Sequence, residues 1–140
     1  MTDTVSKSRR SEIMSNVKGK HTKPEIIVRK YLHSNGFRFR IHDKKLPGNP
    51  DIKLTKYKTV IFVNGCFWHG HENCRIYVMP KTNVDFWSEK IKRNMSRDQI
   101  IINNLKELGW NVIIVWECTL KSKKREQTLV SLVEKINSYN

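Results

Sequence analysis

The densest chemistry in the chain lies in the ten residues GCFWHGHENC, positions 65–74. Cys66, His71, Cys74 and Cys118 are separated by four, two and forty-three intervening residues, and Cys118 stands directly after an apolar run. Three thiolates and one imidazole are a standard tetrahedral zinc set, and such a set would staple the 65–74 loop to the end of that run. His69, with two residues between it and Cys66, competes with His71 for the fourth position, and spacing alone leaves the choice open. The plainer reading is three buried free thiols. It is less natural because two of the cysteines sit in a polar loop, and an odd count of three argues against a disulfide framework.

Carboxylates and aromatics supply the rest. Asp51 follows Asn49-Pro50 and opens a short apolar run, and an acid at a strand edge in basic surroundings is a common divalent-metal ligand in nucleases. A turn-forming Asn-Pro-Asp with a solvated side chain is the simpler alternative. Glu25 already has an explanation as the third helical partner of Thr22 in a capping box. Phe67 and Trp68 stand in the polar loop, and Trp87 lies one turn into the following helix. Aromatics placed this way suit wedges that enter a base stack, or equally a plug over a metal. Trp110 and Trp116, beside and within an apolar run, are core candidates.

The elements that must carry these groups are legible in outline. Thr22, Pro24 and Gly36 mark the ends of a helix over residues 22–36, with Ile27, Val28, Tyr31 and Leu32 on its apolar face. Residues 37–41, FRFRI, alternate at period two as a half-buried strand does. Residues 51–54 and 59–64 read as a hairpin of buried strands, followed by an irregular loop over 65–81. A helix, with a break allowed in its middle, spans 83–108 and stops at Gly109. Residues 111–117 form a continuous apolar strand, and 123–138 a closing helix. The order α-β-β-β-α-β-α is an α/β pattern with helices on both faces of a sheet.

The chain of 140 residues suits a single domain over 21–140, preceded by a basic arm over 1–20 that orders on a nucleic acid or frays. Lys and Arg number 27 against 13 acidic residues, a formal charge of +14, which points to a polyanionic partner with nucleic acid first. No apolar run approaches the ~18 residues of a membrane span, and MTDTVSKSRR lacks a signal-peptide core. An intracellular, cytoplasmic protein without a membrane partner is expected.

Taken together, NPD, VNGCFWHGH with a following Cys, KTNVDFWSEKIKRNMSRD and GWNVIIVWEC resemble the very-short-patch mismatch repair endonucleases, in that family's order and spacing over roughly residues 8–120. That family belongs to the restriction-endonuclease-like PD-(D/E)XK fold, which implies a three-layer α/β/α domain around a mixed sheet with a structural zinc. The resemblance implies a Mg²⁺-dependent enzyme that nicks double-stranded DNA 5′ of the thymine in a T:G mismatch left by deamination of 5-methylcytosine. A cytosine-5 DNA methyltransferase, a repair polymerase and a ligase are then its expected functional companions. The enzyme itself would be a nucleoid-associated bacterial monomer.

Residue by residue, the resemblance places Mg²⁺ on Asp51 and the backbone carbonyl of Val63, with Glu25 holding metal-bound water. It makes His69 the general base, a task that imidazole's near-neutral titration suits. It assigns zinc to Cys66, His71, Cys74 and Cys118. Phe67, Trp68 and Trp87 would wedge into the duplex, Met14 would enter from the other groove, and Lys90 and Asn94 would face DNA. Asn64 stands where other members carry His or an acid, and an amide takes no proton at neutral pH, so a second acid–base role there is open. His71 and Cys74 are spaced by two residues where some relatives use one. Two other readings compete: a restriction-type endonuclease of the same fold acting on intact duplex, and a non-catalytic zinc DNA-binding module.

Overall fold

A computed structural model describes residues 22–66, 69, 71 and 82–139. The first helix, α1, spans Lys23–Ser34. Thr22 caps it by accepting from the Glu25 N–H at 3.4 Å, and Pro24 sits in the first turn, where its missing N–H costs nothing. At the other end Gly36 takes φ +82°, and the Gly36 and Phe37 N–H groups return to the carbonyls of His33 and Leu32. A Cβ at Gly36 would meet nothing within 4 Å, so the backbone conformation, rather than space, selects glycine there.

Four strands follow: β1 at Arg40–Ile41, β2 at Ile52–Leu54, β3 at Thr59–Asn64 and β4 at Asn111–Trp116. They form one sheet in chain order, with β1, β2 and β3 antiparallel and β4 parallel to β3. The β2–β3 hairpin closes through a 3-10 turn at Thr55–Tyr57, with Lys58 in the left-handed region at φ +52°. The parallel β3–β4 pair needs a crossover, which the helix α2, Val84–Glu107, supplies. A 3-10 turn at Glu117–Leu120 leads to the last helix, α3, Arg125–Ser138.

Alternation along the strands sorts their side chains to two faces. Ile52, Leu54, Ile61, Ile113 and Val115 meet Val28 and Leu32 of α1 and Leu129, Leu132 and Ile136 of α3 in the main core. Phe62 and Ile114 face the other way, toward Ile101 of α2, across a cleft. Val60 and Ile61, adjacent in β3, are both fully buried, as expected of a strand covered on both faces. Among the described residues the result is a mixed four-stranded sheet with three helices.

Three expectations change. The strand over 37–41 shortens to Arg40–Ile41, because Phe37 turns into the main core beneath Tyr57 while only the last two residues reach register with β2. The helix after the loop is unbroken for 24 residues, since no Gly or Pro interrupts Val84–Glu107. Trp110 and Trp116 are half-buried rather than central: Lys58 lies over the Trp110 ring at 4.7 Å, and Trp116 serves as a platform described below. The basic arm over 1–20 lies outside the described residues. No helix among the described residues is long and apolar enough to cross a membrane.

Candidate active site

A cleft of about 850 Å³ opens between the first turn of α1, the loop before β2, the ends of β3 and β4, and α2. Asp51 enters it from the last loop residue before β2. The loop reaches that point by passing Gly48 between the sheet and α2. Gly48 has φ +76°, and a Cβ there would lie 2.5 Å from Ile101 Cγ2, so close approach and conformation both demand glycine. The Asp51 carboxylate is then clamped by the sheet itself: the Val63 N–H donates to Oδ2 at 2.6 Å.

Glu25 meets Asp51 across the cleft wall. Its carboxylate is engaged by Arg29, one turn along α1, and by His42, whose Nε2 lies 3.0 Å from Oε2. The capping-box explanation therefore covers only the backbone of Glu25; its side chain, 3% exposed, belongs to the cleft. His42 Nε2 also lies 3.9 Å from Asp51 Oδ1. The Glu25, His42 and Asp51 donor atoms all fall within 4.8 Å of one another, a spread that suits one divalent cation.

Burial pushes the Asp51 carboxyl up from 3.8 to about 7, and the Glu25 charge beside it pushes the same way. The Val63 N–H and the Arg29 guanidinium oppose the rise. A carboxyl held this reluctantly as an anion is a poor surface ornament and a good seat for an incoming cation.

His69 borders the same cleft. Its Nδ1 lies 2.5 Å from Asp98 Oδ2 on α2, and its ring stands edge-on to Trp116 with centroids 6.4 Å apart. With Nδ1–H given to Asp98, the basic lone pair of a neutral ring sits on Nε2. His71 belongs to a different cluster. Its ring stacks on Trp116 at 4.1 Å and 4°, and its Nδ1 lies 3.4 Å from Cys118 Sγ. The Cys118 N–H donates to Cys66 Sγ at 3.4 Å, and the donor atoms of Cys66, His71 and Cys118 lie within 4.8 Å of one another. For zinc with the usual Zn–S and Zn–N bonds, the tetrahedral S···N edge is about 3.5 Å, so this donor set fits the ion. Parallel pairing of β3 and β4 brings the clusters together, because Asn64 pairs with Trp116 and both cysteines lie just beyond that register. The spacing of the two histidines left open which one joins the cysteines; the folded chain sets His71 there and His69 on Asp98.

Asn64 is buried at the rim of the cleft. Trp87, Lys90 and Asn94 all lie on α2. The Lys90 ammonium sits 5.8 Å from the Trp87 ring centroid and 6.0 Å from that of Phe86, and Asn94 accepts from Arg97, which lines the cleft. Met14, Phe67, Trp68 and Cys74 lie outside the described residues. Sequence reasoning assigned no role to Asp98, Arg29, His42 or Glu117. Asp98 stands in the NMSRD run, whose family resemblance is the signal that points to it. Glu117 accepts from the Cys66 N–H at 3.2 Å and borders the cleft, and it stands in GWNVIIVWEC. His42 and Arg29 had no local signal.

The family model for DNA mismatch endonuclease Vsr matches residues 2–75. The chain is 51% identical over 123 residues to the Type II nicking enzyme V.NmeAIP of Neisseria meningitidis, covering 88% of this chain and 87% of that protein. It is 51% identical over 120 residues to the Type II nicking enzyme V.XorIIP of Xanthomonas oryzae, covering 86% and 88%. To the DNA mismatch endonuclease Vsr of Escherichia coli it is 42% identical over 125 residues, covering 89% of this chain and 80% of that protein. With half of the chain under the family model and nearly all of it aligned to such relatives, this protein is a DNA endonuclease that belongs to the Vsr family of DNA mismatch endonucleases.

Proposed function

We propose that this endonuclease nicks one strand of double-stranded DNA 5′ of the thymine in a T:G mismatch, within a preferred flanking sequence, using Mg²⁺ for catalysis and Zn²⁺ for structure. The observation that carries the reading is the meeting, in one cleft, of a desolvated Asp51 and a His69 held by Asp98. The naming of two relatives as nicking enzymes and of a third as a mismatch endonuclease supports single-strand cleavage at a mispair.

The residues divide the work. Asp51 and the Val63 carbonyl would hold Mg²⁺, which when bound supplies charge stabilisation at the phosphoryl and leaving oxygens. His69 Nε2 takes a proton from the attacking water, and Asp98 keeps Nε2 in the basic tautomer and aimed into the cleft. The water oxygen bonds to phosphorus as the P–O3′ bond breaks, and the departing O3′ takes a proton from solvent, leaving a 3′-hydroxyl and a 5′-phosphate on the thymine. Glu25, held by Arg29 and His42, forms the wall beside Asp51 and would orient metal-bound water there. Cys66, His71 and Cys118, with Cys74, would hold Zn²⁺ and so fix the distance between the loop carrying Phe67 and Trp68 and the strand ends that carry the chemistry. Phe67, Trp68, Trp87 and Met14 would enter the base stack, and Lys90 and Asn94 would face the backbone. Acting as a monomer, the enzyme would work downstream of a cytosine-5 DNA methyltransferase and ahead of repair polymerase and ligase.

The test is cleavage of end-labelled duplexes that differ only in carrying T:G, C:G or T:A at one position, with Mg²⁺ or with chelator. One nick, 5′ of the mismatched thymine, in T:G duplex and Mg²⁺ alone is expected. Scission of both strands of the paired duplexes would replace this reading with a restriction-type activity.

A further inference from the structure

We infer that His42 is a third protein ligand of the catalytic cation, so that the site offers a nitrogen donor and favours Mn²⁺-like ions over Mg²⁺. This rests on the proposed cation site at Asp51.

Three observations converge on the imidazole. First, its Nε2 is the atom between the two carboxylates, 3.0 Å from Glu25 Oε2 and 3.9 Å from Asp51 Oδ1. For an octahedral ion with ligand bonds near 2.1 Å, neighbouring donors lie about 3.0 Å apart and opposite donors about 4.2 Å apart. The 3.0 Å separation matches a neighbouring pair, and the 3.9 Å separation falls between the two values. The Glu25, His42 and Asp51 donor atoms thus lie within reach of one ion, and the Arg29 Nη2, 3.4 Å from His42 Nε2, is the group that an ion at that nitrogen would displace.

Second, the ring is held there by the backbone. His42 has φ +48°, in the left-handed region that histidine enters more readily than most residues, and its N–H donates to the Asp51 carbonyl at 3.3 Å. One residue thus ties its main chain and its imidazole to Asp51 together.

Third, charge in the site is already partly spoken for. The Arg29 guanidinium pairs with Glu25. With the Glu25 charge offset in this way, Asp51 is the uncompensated carboxylate of the Glu25, His42 and Asp51 set, and a neutral donor adds affinity. A neutral imidazole lone pair is such a donor. It is borderline in softness, and it raises the affinity for first-row transition ions relative to Mg²⁺. Ligation requires Nε2 to present its lone pair, so its proton resides on Nδ1 or leaves to solvent when the ion binds.

The experiment uses the full-length protein without DNA, titrated with Mn²⁺ alone and followed by electron paramagnetic resonance. Electron spin-echo envelope modulation then reports whether an imidazole nitrogen is bound directly to the ion. We expect strong nitrogen modulation in the wild type, its loss in His42→Gln and its retention in His69→Ala. Mn²⁺ affinity should fall about tenfold or more in His42→Gln, since even residues that only support a ligand cost that much. The ratio of Mn²⁺ to Mg²⁺ affinity should fall with it, and circular dichroism checks that the variant is folded. Absent nitrogen modulation, modulation that survives His42→Gln, or modulation lost instead in His69→Ala would each overturn the assignment. Asp51→Asn separates the two layers of the argument. Mn²⁺ binding lost in Asp51→Asn with no nitrogen modulation in the wild type leaves the cation site standing and removes His42 from it. Unchanged Mn²⁺ binding in Asp51→Asn removes the cation site itself, and the His42 assignment with it.

Discussion

Replacing Asp51 by Asn should make the metal-free protein more stable while abolishing nicking. The amide keeps an oxygen for the Val63 N–H, so the bond that now measures 2.6 Å survives, but the buried charge is gone. The sign follows from linkage. The folded-state carboxyl titrates at about 7 against an ordinary 3.8, so the native state binds the proton more tightly than the unfolded chain does. Stability is therefore complete below about pH 3.8 and is lost as pH rises toward 7 and through it. At ~1.4 kcal/mol per pH unit, the interval corresponds to at most ~4 kcal/mol. The Asp51 side chain retains 17% exposure and its charge interacts with that of Glu25, so about half of that, ~2 kcal/mol, is the expected gain for the variant at pH 8. For a chain of this size the melting temperature would rise by roughly 6–10 °C. Thermal unfolding of wild type and Asp51→Asn at pH 5 and pH 8, in chelator and in Mg²⁺, measures it. The advantage should be large at pH 8, shrink at pH 5, and shrink again when Mg²⁺ neutralises the wild-type carboxylate. An Asp51→Asn protein that is less stable than wild type at pH 8, or equally favoured at both pH values, would refute the argument from desolvation.

Three further outcomes are expected. Cys118→Ser should lower the zinc content and the folding stability together, because structural zinc in small sites contributes roughly 10–16 kcal/mol of folding free energy; unchanged stoichiometry by elemental analysis would show that Cys118 is not a ligand. Asp98→Asn should reduce the single-turnover nicking rate by a large part of the roughly 10²–10⁴-fold a general base provides, with DNA affinity unchanged in a binding titration; a loss confined to binding would mean that Asp98 does not act through His69. Gly48→Ala should cost roughly 2–4 kcal/mol in urea unfolding, from a Cβ forced against Ile101 and a left-handed backbone; a neutral substitution would show that the loop before Asp51 is not pinned between sheet and helix.

Much of the frame could be read from neighbouring residues. Thr22, Pro24 and Gly36 delimited α1 because caps and stops act within a turn of where they stand. The β2–β3 hairpin, β4 and the closing helix followed from runs of apolar residues and the order of elements. The stretch 37–41 pairs over less of its length than its pattern suggests, because period-two alternation says which side chains can be buried, not whether the backbone finds a partner. Phe37 is buried as its pattern suggests, yet only Arg40 and Ile41 pair with β2.

The candidate cleft divides along the same line. Asp51, His69 and the cysteines announced themselves by residue type and by the runs around them. What each of them touches did not. Arg29 and His42 converge on Glu25 from positions 4 and 17 residues away, and Asp98 reaches His69 across 29. Cys118 comes to Cys66 across 52, through the parallel register of β3 and β4. The two histidines of GCFWHGHENC show the division most sharply. Their types and spacing allow either to join the cysteines, and only tertiary structure sends one to Cys118 and Trp116 and the other to Asp98. Local sequence specifies which chemical groups are present and which way a short segment runs. The partner of each group depends on strand register and helix placement, and those are settled by burying apolar side chains far from the groups that do the chemistry.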